Sequence, residues 1–535
     1  MPSSSILLLS SILPYTALDF FDVPFWVPLD TQEIQIDHKC DDPSITTNIL
    51  DWGLRDCNNR VLGWGGGNVE SIIINTNATS RSYLSYYNYD SPLPTNCTWN
   101  VIVGKPRIAT PPGSYSINIT FRDIPTLSPQ LERSDYIPCL PLDIPSTLKF
   151  YSGDFHVHSR ESGDAFVSAS VDEIATFSHS VGLDFVHISD HNTVSVSTFV
   201  NEAQLRHPNL LILPGVEYTT YSGHAGALFT TKYVDHRIGL PGVSIDKAVD
   251  AIHAQGGLVS INHLDNYEND GTLRNKCVGC AWDFGGSLSY TKLDAIEVAI
   301  QSWNGIGFIY TPRALEFWDR LHALGFTNVA PIGGSDDHHG GMNETVIGHW
   351  VEGSQIGSPT TMVLAANLSQ AGIYEGIKLG RIVLKFNNRT SDPDIDFIAT
   401  LIDGDIIRVG GTVIGSIDTM ITLTATVSAV ILSKQSSYLR GNERRKRQGK
   451  IKSHLSSSSS SSSNDYYIAF VRNNEQTFTM NVTQTLPFTF SVNVTLPIAG
   501  TDRWRAELHD NEQLCVMTNH IFLPALVETE TTTDL

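Results

Sequence analysis

The hydrophobic rhythm of this chain changes twice. Between residues 19 and 148, short apolar runs alternate with polar positions and are split by Gly, Pro and Asn. Val101-Ile-Val and Ser114-Tyr-Ser-Ile-Asn-Ile-Thr-Phe121 are examples. A period of two predicts half-buried strands, and their number predicts a β-rich, sandwich-like domain. From Lys149, strand-like runs such as Phe185-Val-His-Ile and Leu210-Leu-Ile-Leu alternate with helix-like segments. Val171–Val181 and Ile245–Ala254 are two of these, the second closed by Gly256-Gly257. Such βα repeats over 149–392 predict an α/β domain with a parallel barrel. From Pro393 the period of two returns in Met420–Leu432 and Phe478–Leu496, which predicts a second β-domain over 393–525. That domain is interrupted by 434–464, with the basic run Arg444-Arg-Lys-Arg447 and the serines Ser456–Ser463. Its composition predicts a disordered loop, and 526–535 reads as a tail.

Length and charge narrow the picture. A chain of 535 residues accommodates two to four domains at ~150 residues each. With 41% hydrophobic and 17% charged residues it can bury real cores, which excludes wholesale disorder. Thirty-five basic residues against 56 acidic ones give a formal charge of −21. No basic stripe or nucleic-acid groove is visible in that balance. Nor is there an apolar run long enough for a transmembrane helix.

Three features bear on compartment. Residues 1–18 read as a candidate signal peptide, with an apolar run Ile6–Leu13 before Ala17, although a strand would use the same residues. Eight N-x-Ser/Thr sequons, at Asn77, Asn96, Asn118, Asn343, Asn367, Asn388, Asn481 and Asn493, offer N-glycan acceptors. Seven cysteines fit an oxidising compartment. Cys40, Cys57, Cys97 and Cys139 suffice for two disulfides, Cys277-x-x-Cys280 reads as a local disulfide, and Cys515 as a buried thiol. A secreted protein is the expectation.

Histidine marks where the chemistry lies. Fourteen of 18 histidines fall between His156 and His349, just over a third of the chain. Six clusters occur there in order: Asp154-Phe-His156-Val-His158 with Asp164 after it; Ser189-Asp190-His191-Asn192; Pro214-Gly-Val-Glu217; Gly223-His224; Ile261-Asn-His263; and Gly333-Gly-Ser-Asp336-Asp-His338-His339. His156 and His158, at i and i+2 on a strand, share a face. At least four clusters end an apolar strand, and in a βα barrel those ends meet on one face. Histidine and carboxylate ligands gathered there suit Zn²⁺, Mn²⁺ or Fe²⁺. Packing or capping is the expectation for His179, His187, His207, His236, His253, His322 and His349.

Taken together, these residues resemble the polymerase and histidinol phosphatase (PHP) family of metallohydrolases. The likeness runs from about Gly153 to Phe386 and keeps the family's motif order. The short step from Glu217 to His224, and the tail with Gly380-Arg381, Trp504-Arg-Ala-Glu507 and Thr518-Asn519, resemble the CehA/McbA-like branch, named for carbamate hydrolysis. The resemblance implies a distorted (β/α)7-type barrel flanked by the two β-rich domains. It implies two or three divalent ions. His156, His158, Glu217 and Asp336 would hold one. Glu217 would bridge to a second held by His224 and His263. Asp164, His191 and His338 would complete a third position. One departure is Leu264, where the family often has proline.

The chemistry so implied is attack by a metal-bridging hydroxide on a small ester. Asp190, His338 or His339 would move a proton or orient a ligand, with Asp190 placed beside His191. Arg160, two residues past His158, and Arg381, opening a strand after Gly380, are candidates to bind a phosphate or carboxylate, with a plain surface arginine as the alternative for each, and Trp303-Asn304 is a candidate pocket wall, with core packing as its alternative. A phosphoesterase is the first expectation. A carboxylic ester, amide or carbamate hydrolase with the same metals is the alternative. A binding protein with a decayed site is the third reading, and it should show missing ligands, which this sequence does not.

Overall fold

The computed structural model describes residues 4–12, 18–40, 48–69, 71–87, 91–108, 113–264, 282–301, 303, 307–342, 354–414, 420–428, 466–482, 486–510 and 513–525. Asn304, Asn343, His349, Cys277, Cys280, the 434–464 segment and the tail from 526 lie outside them.

The first 122 residues supply eight strands: β1 (Ser4–Ile12), β2 (Phe20–Val27), β3 (Glu33–Cys40), β4 (Asn48–Arg55), β5 (Val61–Gly66), β6 (Ser71–Asn75), β7 (Cys97–Ile108) and β8 (Ser114–Arg122). They form two antiparallel sheets, ordered β1-β8-β3-β6 and β2-β7-β4-β5. Strand β8 shows why: Tyr115, Ile117, Ile119 and Phe121 are buried while the residues between them face outward. Ile34, Ile36 and Ile117 of one sheet and Trp52, Trp99 and Val101 of the other share a core. Within the run read as a candidate signal peptide, Ser4–Ile12 forms the edge strand β1, paired with β8. Its Leu7 and Leu9 pack on the core while Ile6 and Leu8 are exposed, the alternation of a strand. Of the two disulfides expected here, Cys57–Cys97 forms; Cys40 is buried in the sandwich and Cys139 lies apart from it, beside Gln204.

The central region carries β9 (Lys149–Val157), α1 (Val171–Ser180), β10 (Phe185–His191), α2 (Ser197–Arg206), β11 (Leu211–Thr220), β12 (Gly223–Leu228), α3 (Ile245–His253), β13 (Leu258–Ile261), β14 (Ala295–Ile300), α4 (Gly307–Ala323) and β15 (Ala330–Gly334). The seven strands stand in chain order in one sheet. Ser170 and Glu173 cap α1 reciprocally, which fixes its start. The sheet is mixed rather than parallel throughout. Strand β12 is antiparallel to both β11 and β13, because the turn at Tyr221-Ser222 is too short for a crossover helix. After β15 the chain returns to β9: Asp336 N donates to His156 O, and His158 N to Asp337 O, both at 2.8 Å. The core between strands and helices includes Phe185, Leu213, Ile261, Ile296, Trp318 and Ile332.

On its other edge β9 pairs with β16 (Thr360–Ala365), which leads through α5 (Gln370–Lys378) to β17 (Ile382–Lys385). The rest of the chain gives β18 (Asp394–Leu401), β19 (Ile406–Arg408), β20 (Met420–Ser428), β21 (Tyr466–Arg472), β22 (Glu475–Asn481), β23 (Phe488–Thr495), β24 (Thr501–Asp510), β25 (Gln513–Thr518) and β26 (Ile521–Pro524). One sheet is ordered β19-β18-β20-β23. The other, β25-β24-β21-β22, continues the central sheet through the β17–β25 pairing. Phe397, Leu423, Phe470 and Trp504 form the core of this last region. Cys515 is buried there, as its strand-like setting predicts. No helix among the described residues is long and apolar enough to cross a membrane.

Candidate metal centre

Register brings the ligands level. Strands β10 and β11 are parallel, and His191 stands directly opposite Glu217. Across the β11–β12 hairpin, Thr219 faces His224. His156 and His158 end β9, His263 follows β13, and Asp336 and His338 follow β15. Asn192, His263 and Asp336 hold positive φ angles of 50°, 25° and 57°. Non-glycine residues seldom adopt such angles, and they gather where a site over-determines the backbone.

The side chains converge as three groups that could hold an ion, the ligand atoms within each lying within 4.8 Å of one another. The first is His156, His158, Glu217 and Asp336, the second His158, Asp164, His191 and His338, the third His191, Glu217 and His224. The first joins the same four residues the resemblance implies. The second adds His158 to the implied three. In the third, His191 stands where His263 was expected, while His263 Nε2 lies 2.9 Å from Glu217 Oε1.

The first group is the most regular. The Nε2 atoms of His156 and His158 are 3.1 Å apart. They lie 3.3 and 3.4 Å from Glu217 Oε2, and 3.3 and 3.2 Å from Asp336 Oδ1. These five edges, with the sixth, between Glu217 and Asp336, within 4.8 Å, suit a four-ligand site whose centre is about 2 Å from each corner, the length of a zinc–nitrogen or zinc–oxygen bond. Glu217 Oε2 is buried without a hydrogen bond, and two imidazole nitrogens face each other at contact. A divalent cation resolves both, so the residues fit the implied metal.

Electrostatics agree with a shared charge. Burial alone would raise Glu217, but the imidazoles of His156, His191 and His224 outweigh it and hold the carboxylate well below its usual range. Asp336 is likewise held low, against burial, by His156, His158 and His338. His158 is pushed down to about 3 by burial and by the charges of His338 and His191. His338 rises to about 9, because Asp164 and Asp336 overcome the effect of burial.

A surrounding shell sets ring orientation. Glu297 on β14 was not anticipated. Its Oε1 lies 2.9 Å from His156 Nδ1, and its Oε2 accepts the His263 backbone N–H at 2.7 Å. A Cβ at Gly334 would stand 2.2 Å from Glu297 Oε1 and 2.3 Å from His156 Cβ, so only glycine admits this pair. Thr219 Oγ1 sits 2.5 Å from His191 Nδ1, and Asn262 Nδ2 donates to Glu217 Oε1. His338 Nδ1 donates to the Asp336 carbonyl at 2.9 Å, leaving Nε2 for the site. Such partners fix the tautomer of a ligating imidazole. The signal for Glu297 was a lone carboxylate inside the apolar run Ala295–Ile300.

Other expected residues fall elsewhere. Asp190 is fully buried and spends both oxygens on Ser159, at 2.6 Å from its N–H and 2.7 Å from its hydroxyl. Burial pushes it up to about 8. As strand neighbours, Asp190 and His191 point to opposite faces, so Asp190 anchors the loop after β9 instead of pairing with His191. Arg160 turns its guanidinium over Phe199 and toward Glu161, away from the groups above. Arg381 is at the opposite end of the sheet. Its carbonyl accepts from Leu364, which pairs with Phe150 near the start of β9, roughly 20 Å along the strand from His156 at about 3.3 Å per residue. Its side chain is 3.6 Å from Glu375. Trp303 donates its indole N–H to Leu514 O and stacks on Phe386, a packing role, and Asn304 is outside the described residues. His339 is buried against Phe166.

No family model and no curated protein matches the chain. Among solved structures, it is similar to a two-domain protein from Bacteroides vulgatus containing a predicted PHP-like metal-dependent phosphoesterase. That likeness covers 72% of this chain and 98% of that one, at 15% identity and a TM-score of 0.35. Endonuclease Q bound to a 27-mer duplex with an abasic lesion is similar over 43% of this chain and 57% of its own, at 13% identity and 0.27. A lesion-specific endonuclease from Pyrococcus furiosus is similar over 46% and 62%, at 15% and 0.28. At these scores the likeness decides nothing about activity, which is read from the site's own distances.

Proposed function

We propose that this chain is a PHP-type metal-dependent hydrolase. Its seven central strands form a distorted barrel whose strand ends carry the ions, and its most fitting substrate is a small phosphate ester. The observation that carries this reading is the near-regular spacing, 3.1 to 3.4 Å, among His156, His158, Glu217 and Asp336. Divalent ions in such a setting lower the pKa of water to about 7 and polarise the ester oxygen. The chain's own residues do the rest. Glu297 and Thr219 hold His156 and His191 in orientation. His338, anchored through Nδ1, presents Nε2 toward Asp164, 3.4 Å away, where it can hold a proton or a metal. Asp154 accepts from the N–H groups of His156, Ser335 and Gly357, and so ties the ends of β9 and β15 together.

A second reading, hydrolysis of a carboxylic ester, amide or carbamate, is favoured by one observation. Neither Arg160 nor Arg381 reaches the ion groups, and a phosphate would ordinarily be clamped by such cations. Secretion belongs to the same proposal, supported by the Cys57–Cys97 disulfide and the exposed sequons at Asn77, Asn96, Asn481 and Asn493. The deciding experiment compares an aryl phosphate, an aryl phosphodiester, an aryl ester and an aryl carbamate on manganese- or zinc-loaded protein and on His156→Ala. Turnover of a phosphate substrate that vanishes in the variant supports the first reading. Turnover of the ester or carbamate alone moves the protein to the second. Turnover unaffected by the substitution sinks both.

A further inference from the structure

Asp164 lies on the loop between Ser159 and Ala165, farther from the end of its strand, Val157, than any other member of the ion groups. Its side chain is about a third exposed, and Ser162 Oγ donates to it at 2.7 Å. Ordering a loop costs conformational entropy, so something must hold this one. Much of what holds it comes from the N-terminal region. Arg81 donates through Nη2 to Gly163 O at 2.9 Å and through Nη1 to Ala165 O at 3.1 Å, the carbonyls on either side of Asp164. Ser82 gives its N–H to Glu161 Oε2 at 3.0 Å and its hydroxyl to Glu161 O at 2.7 Å. Thr193, just past β10, donates in turn to Ser82 O at 2.9 Å. The two backbones also touch: a Cβ on Gly163 would stand 2.2 Å from Gly65 O.

We infer that the N-terminal sandwich completes the ion group of His158, Asp164, His191 and His338 by placing Asp164, with Arg81 as its positioning residue. The inference rests on the metal reading of the site. The groups built on Glu217 share His158 and His191 with this one but do not use Asp164. The sandwich is therefore part of the centre rather than an appended recognition module. Arg81 suits the task because a guanidinium forks two N–H donors across two carbonyls, which a lysine cannot match.

The test is metal content per chain, by elemental mass spectrometry after loading and desalting, with affinities from chelator competition. Wild type is compared with Arg81→Met, which removes the fork, and Gly163→Ala, which pushes the loop off Gly65. Arg206→Met, which breaks only a surface pair with Asp172, is the control. The expected result is three equivalents in wild type and control. Both loop variants should hold two tightly and a third weakened by about 10- to 100-fold, the usual effect of losing a supporting partner. Circular dichroism should stay unchanged. Loop variants that keep three equivalents at wild-type affinity overturn the inference. So does a wild type that holds only two, or a loop variant that loses all of them. A wild type that binds no metal overturns the hydrolase reading itself, and this inference with it.

Discussion

His187 and His156 sit on neighbouring strands, both fully buried, in different company. His187 donates through Nδ1 to Phe155 O at 3.0 Å and packs against Phe155 and Phe229. Burial pushes it down to about 3, so it stays neutral. His156 has a carboxylate at one nitrogen and another imidazole nitrogen at the other. Burial would lower it too, but Glu217, Glu297 and Asp336 raise it well above its usual value. His236 and His322 belong with His187: one meets Tyr233, the other donates to Val329 O. Density of histidine therefore does not define the centre. Carboxylates do: His156 sits against Glu217, Glu297 and Asp336, whereas His187 meets a carbonyl and His322, although it also faces His520 at 3.0 Å, has only the Val329 carbonyl besides.

Removing a member of each set should separate them. His156→Ala should cost on the order of a thousandfold in kcat/KM, about 4 kcal/mol of transition-state stabilisation, with bound metal lost in proportion. Melting of the metal-free protein should change little. His187→Ala should do the reverse, costing about 3 kcal/mol in urea unfolding for the cavity and the orphaned Phe155 carbonyl, while metal stoichiometry stays whole. An unfolding midpoint equal to wild type in His187→Ala would break the comparison. Between the two lies Glu297→Gln, which keeps the shape and weakens the orientation of His156. Chelator competition should show metal affinity 10- to 100-fold weaker.

For a single ring, the comparison can also be sharpened by pH. His187 and His236 are held at about 3 and His322 at about 4, each lowered by burial. Above pH ~6.5 these rings are neutral in both folded and unfolded chains, and their contribution is fully present. Below it the unfolded chain takes up protons that the folded chain refuses, so stability falls by about 1.4 kcal/mol per pH unit per ring until the folded value is reached. Urea midpoints of metal-free protein between pH 7 and 5 should show this fall. His236→Phe should make the slope shallower by one ring's share, about 1.4 kcal/mol per pH unit, and an unchanged slope in that variant would remove His236 from the set.

Much of the centre was legible because its ligands follow short apolar runs, as at Glu217 after Leu210-Leu-Ile-Leu and Asp336 after Ala330-Pro-Ile. Strand ends are local signals, and the helices at Val171 and Ile245 were equally local. What escaped was set by distant contacts. Arg381 looked like an anion clamp beside a strand, but register puts it at the wrong end. Asp190 adjoins a ligand in sequence, yet alternation turns it away. The hairpin that reverses β12 hides in an ordinary Tyr-Ser pair, and Arg81 gives no hint that it will reach a loop more than eighty residues on.

The pairing of Val383 with Thr518 has a consequence for how the protein is made. Until β25 leaves the ribosome, β17 presents a bare apolar edge of Ile382, Val383 and Leu384 that continues the finished central sheet. Open edges of that kind recruit other strands, and contacts closed late are slow to find. A nascent chain stalled after Lys385 and before residue 513 would carry the assembled ion groups together with an adhesive flank. Its first hazard is thus capture by a sister chain during synthesis rather than loss of the site.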